Sequence, residues 1–131
     1  MTDRALFVGF GTPVRGREER AMEVFGEFVE MFGRMQSDGR IAGMDVTLLD
    51  PHGGDLEGFF MVHGSEAQCA TLSNDEEFRR ASIDASLIVD NFGVVPCVTG
   101  EGVSREMAMY SEAVGKVGIG GHALASAHNG G

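Results

Sequence analysis

The chain has 131 residues, 43% hydrophobic and 23% charged, with a net charge of −10 and a pI near 4.7. That length and balance fit one domain with a real core, and the excess of carboxylates argues against a nucleic-acid or anionic-membrane partner, since either would repel it. No apolar run reaches the roughly 18 residues of a membrane span, no secretory leader is visible, and Cys69 and Cys97 read as free buried thiols, so a cytoplasmic location is expected.

Arg4 to Phe10, RALFVGF, is short and apolar on both faces, which predicts an interior strand ended by Gly11-Thr12-Pro13. The glycines from Gly9 to Gly16 do not make a nucleotide loop. Val14 stands where a dinucleotide motif needs its third glycine, and no Gly-Lys-Ser/Thr follows. Arg17 to Gln36 carries the clearest helical pattern. Ala21, Met22, Val24, Phe25, Phe28, Val29, Met31, Phe32 and Met35 take one half of the wheel, and Glu19, Arg20, Glu23, Glu27, Glu30 and Arg34 the other. Ser37-Asp38-Gly39 stops it.

Gly43 to Ser65 reads as two strands folded around a turn. In the first arm Met44, Val46 and Leu48 alternate with Asp45, Thr47 and Leu49. Asp50-Pro51-His52-Gly53-Gly54-Asp55 supplies turn residues, and Gly58 to His63 is apolar on both faces. Asp45 is costly in a closed core, so Met44, Val46 and Leu48 should join Phe60 and Val62 against helices. Asp45 and Thr47 then share the opposite face with Phe59, Met61 and His63.

Ser65 can cap a short helix, Glu66 to Leu72. Ser73 with Glu76 makes a capping-box pattern for a second, running to about Asp90, with a strand at Leu87 to Val89 as the competing reading. Phe92 to Thr99 predicts a fourth strand, and Pro96, which cannot donate to a ladder, puts it at an edge. Ser104 caps a last helix in which Val103, Met107, Tyr110, Val114 and Val117 keep helical spacing. A single domain is expected over residues 1–117, with a flexible Gly/Ala/Ser/His tail over 118–131.

The predicted order, strand, helix, strand, strand, helix, strand with a helical extension, is the split βαβ arrangement of an α+β ferredoxin-like domain. Its helices cover one sheet face and leave the other bare. Phe59, Met61 and Phe7 would expose several hundred Å² of apolar surface there, which a soluble monomer rarely does, so a second copy is the expected cover.

GFFMVHGS followed by a helix, then NDEEFRR and VVPCVTG, resembles the dimeric α+β barrel superfamily, in which two ferredoxin-like sheets face each other in a homodimer. The likeness runs roughly from Arg4 to Thr99 and concerns the fold. The superfamily includes cofactor-free monooxygenases, haem-dependent enzymes and YCII-like proteins. The early His–Asp pair of the YCII-like group is missing here, and no histidine is placed as a haem ligand, so no cofactor and no metal is expected.

Asp45 and His63 are the candidate catalytic pair: a carboxylate beside an imidazole can tune a base for proton abstraction. Phe7, Thr47, Phe59 and Met61 are the candidate pocket. The resemblance implies a small hydrophobic ligand, with a monooxygenase-like or isomerase-like reaction. The alternatives are an Asp and a His that are merely solvated, and a module whose sheet face does nothing but dimerise. His52 reads as a turn residue, short of the ligands a metal needs.

Overall fold

The computed structural model describes residues 2–125. Its elements follow in the order β1 (Arg4–Phe10), α1 (Glu18–Ser37), β2 (Gly43–Leu48), β3 (Gly58–Gly64), α2 (Glu66–Ser73), α3 (Glu76–Ser86), β4 (Gly93–Val98) and α4 (Glu101–Ala125). The strands form one antiparallel sheet in the order β2-β3-β1-β4. This is the ferredoxin-like α+β architecture, with the doubly apolar strands in the middle and the strands carrying Asp45 and Pro96 at the edges.

Register decides which side chains meet. Asp45 pairs with Met61, Val46 with Phe60 and Thr47 with Phe59, while Phe7 pairs with Met61 and Val8 with Phe60. Alternation therefore puts Met44, Val46 and Leu48 on the helix side, as the position of Asp45 predicts. Of the three, only Met44 packs on the core; Val46 and Leu48 stay 44% and 66% exposed, because the helices do not reach over the outer end of this edge strand. Leu6, Val8, Phe60 and Val62 from that side form one buried cluster with Phe28, Phe32 and Met35 of α1, Leu72 of α2 and Phe78 of α3. Phe60 is its centre. The rings of Phe25, Phe32, Phe28 and Phe10 lie 5.3, 5.4, 5.7 and 6.0 Å from it.

Local chemistry sets the helix ends. Acidic Glu18 and Glu19 open α1 and Arg34 lies in its last turn, each complementing the helix dipole. Met22, expected on the apolar half of α1, is 70% exposed, because the stripe is wider than the surface it covers. The capping box sits one helix earlier than the sequence pattern suggests. Ser65 accepts from the Gln68 amide, and the Gln68 side chain answers to the Ser65 amide. Ser73 belongs to α2, where its hydroxyl donates to the Cys69 carbonyl, so Asp75 caps α3 instead. α3 also stops at Ser86, short of Asp90, because Val89 bridges to Pro13 and Asp90 exchanges hydrogen bonds with Gly11 and Thr12.

α4 starts at Glu101, three residues before the expected cap. Gly100 turns the chain with a φ of +56°, and Gly102 fits where a methyl group would meet the Val98 side chain and the Asp3 carbonyl. Arg105 pairs with Asp3 and holds that carboxyl below the usual carboxylate range. The helix passes the expected boundary at residue 117 and continues to Ala125; the rest of the expected tail lies outside the described residues.

Replacing Phe60 with Ala is expected to cost about 3–5 kcal/mol in denaturant unfolding, through lost burial and a cavity. Arg34, hydrogen-bonded to Glu77 at 2.5 Å, depresses the Glu77 carboxyl. A depressed carboxyl stabilises the fold above its unfolded pKa, and that contribution is lost as pH falls through the lower folded value. Glu77→Gln should therefore reduce the loss of Tm between about pH 5 and pH 3, by an amount worth less than ~1 kcal/mol at this exposed site.

Candidate functional site

The sheet face opposite the helices carries every residue of the predicted site. The rings of Phe7 and Phe59 lie with centroids 5.0 Å apart, tilted 30° to each other. Their arrangement depends on Gly9, where a methyl group would come 2.5 Å from the Phe7 ring. Met61 lies between Phe7 and Asp45 in the cross-strand row, and Thr47 is opposite Phe59. Val95 and Cys97 extend the same face on β4.

Asp45 and His63 meet at one end of this face. Asp45 is opposite Met61, so His63 is its diagonal neighbour, within reach of a long side chain. Asp45 Oδ2 lies 2.9 Å from His63 Nε2. With the proton on Nε2, the imidazole donates to the carboxylate and leaves Nδ1 with a free lone pair. The carboxylate side chain is 76% exposed and the imidazole 31%, so the pair stands at the water's edge beside apolar rings.

The remaining singled-out residues have local roles. His52 is held inside its own turn, accepting from the Gly54 amide at Nδ1 (3.0 Å), with Nε2 2.7 Å from the Leu56 carbonyl. Among the described residues, no three His, Cys, Asp or Glu side chains converge on one point. Cys69 and Cys97 are free and line a hollow of about 250 Å³ with Arg4 and Pro96. Burial pushes the Cys69 thiol up. Tyr110, read as a packing residue, is 65% exposed on α4.

One feature escapes the sequence reading. A cleft of about 450 Å³ opens on the helix side, between α1, the sheet and the segment that leads into β4. Phe10, Phe25, Phe28, Phe60 and Phe92 wall it. Each reads as core from spacing alone, and only the packing leaves a space among them.

No family model and no curated protein matches the chain. Solved structures do. One is a dimeric protein of unknown function with a ferredoxin-like fold from Bacteroides fragilis NCTC 9343, 11% identical, with a TM-score of 0.54 over 72% of this chain and 95% of that one. Another is a dimeric ferredoxin-like protein of unknown function from Jannaschia sp. CCS1, 12% identical, with a TM-score of 0.55 over 72% of this chain and 97% of that one. Likeness at that identity concerns the fold. No helix among the described residues is long and apolar enough to cross a membrane.

Because the thiolate is the reactive form, Cys69 should alkylate more slowly with iodoacetamide at pH 8 than a free thiol does. Peptide mapping by mass spectrometry checks this, and the gap should close as pH rises.

Proposed function

We propose that the protein works as a homodimer whose open sheet faces meet and enclose a chamber for a small hydrophobic molecule. Asp45 and His63 act there as an acid–base pair. The 2.9 Å contact between them, on a face otherwise made of Phe7, Phe59 and Met61, carries this reading. Apolar rings would hold the body of a ligand, and His63 Nδ1 would take a proton from an acidic O–H or C–H at its edge. The Asp45 carboxylate would stabilise the imidazolium that forms. Cofactor-free monooxygenase-like or isomerase-like chemistry begins with such a step.

Self-association has two further supports. The two structural neighbours from Bacteroides fragilis and Jannaschia are described as dimers. On α4, Val103, Met107, Tyr110, Val114 and Val117 form an exposed apolar seam at alternating four- and three-residue spacing, the pattern of a helix that packs on another apolar surface. The second reading, a non-catalytic module in which the faces only dimerise, is favoured by the Phe7–Phe59 contact, since two bulky rings side by side fill space between sheets.

Sedimentation at about 10 μM distinguishes these states, well within the range where standard-size interfaces hold. The wild type should run as a dimer and Phe59→Glu as a monomer; a wild type that runs as a single subunit overturns the chamber. His63→Ala should remain dimeric and weaken 1-naphthol binding, followed at the Met61 methyl signal, by roughly tenfold. Unchanged affinity would retire the acid–base pair and leave the assembly module.

A further inference from the structure

The helix-side cleft has a chemistry of its own, separated from Asp45 and His63 by the thickness of the sheet. Phe10 and Phe60 form its floor, Phe25 and Phe28 one wall, and Ile88 and Phe92 the other. Its volume of about 450 Å³ lies in the range of small-molecule sites, which runs from roughly 300 to 1,000 Å³. Water inside would find almost no polar partner, and ordered water needs two or more. An apolar group is therefore favoured there over solvent.

The cleft carries one charge in its lining, a carboxylate. Glu57 is the sole ionisable side chain lining the cleft among the described residues. Its backbone amide donates to the Phe10 carbonyl, which anchors the residue beside the floor, and Thr12 Oγ1 lies 3.4 Å from its carboxylate. The backbone carbonyls of Asp55 and Asp90, neutral acceptors, come within 2.7 and 2.6 Å of the place a methyl group on the lining residue Gly11 would take. Arg17 keeps its positive charge but lies outside the lining, donating to the Leu87 carbonyl at 2.5 Å.

We infer that the cleft binds a monocationic amphiphile, an arylalkyl or alkyl ammonium, with its apolar body among the phenylalanines and its ammonium group at Glu57. Burial of the chain gives affinity. The carboxylate and the neighbouring ring faces, which attract a cation, give the choice of sign. A neutral analogue keeps only the first contribution, and an anion is repelled by the Glu57 carboxylate.

The test uses the full chain and three probes of one shape: 4-phenylbutylamine, 4-phenylbutanol and 4-phenylbutyrate, titrated at low ionic strength. The amine should bind about tenfold more tightly than the alcohol, the acid should bind most weakly, and added salt should shrink the spread. Glu57→Gln should bring the amine down to the alcohol and leave the alcohol unchanged. Val89→Trp, which fills the cleft, should remove binding of all three. Should that variant not fold, methyl signals of the wild type locate the ligand: Met22, Ile88 and Val89 should move and Met61 should not. Equal affinities for amine and alcohol, no binding at millimolar concentration, or shifts confined to Met61 each overturn the inference. Because His63→Ala should leave amine binding intact, failure here and failure of the inter-sheet chamber are separate results.

Discussion

The alternation along β3 organises this molecule. Phe60 and Val62 point to one side and are fully buried beneath α1. Phe59, Met61 and His63 point to the other and are only half covered. Since side chains repeat every two residues, a slip of one position would exchange these sets and put His63 in the core, unpaired, at a cost of several kcal/mol. The aromatic packing around Phe60 opposes such a slip. Four rings meet it from β1 and α1, so the sheet and its first helix are held in one arrangement.

The two sides of the sheet are therefore unlike. On the helix side, packing is close around Phe32 and Phe60 and loosens toward Phe10 and Phe92, where the cleft opens. On the bare side, apolar rings and a hydrogen-bonded Asp–His pair lie together on a surface that its own helices do not cover. The polar group in each place stands at the rim, Glu57 at one and Asp45 at the other. A charge there keeps much of its hydration while a neighbouring surface stays apolar.

Much of this was legible in the sequence where a period governs. Asp45 among Met44, Val46 and Leu48 was enough to orient the hairpin, and Pro96 was enough to send β4 to the edge. Competition between neighbours was harder to read. Ser73 and Asp75 both suit a helix start, and the choice fell to Asp75 because the Ser73 hydroxyl bonds backward into α2. The end of α3 depended on Val89 finding Pro13, a contact between residues far apart in the chain. The cleft could not be read at all. Spacing marks Phe25, Phe28 and Phe60 as apolar, but the volume left among them follows from how three elements pack.

Pro96 also limits how copies of this protein can join. A strand added along the outer side of β4 would meet a pyrrolidine ring in a row where backbone donors are needed. Continuous ribbons built edge to edge through β4 are thereby discouraged, and with them the open-ended stacking that leads to fibres. Contact between broad surfaces, which closes on itself after two copies, remains the easier route.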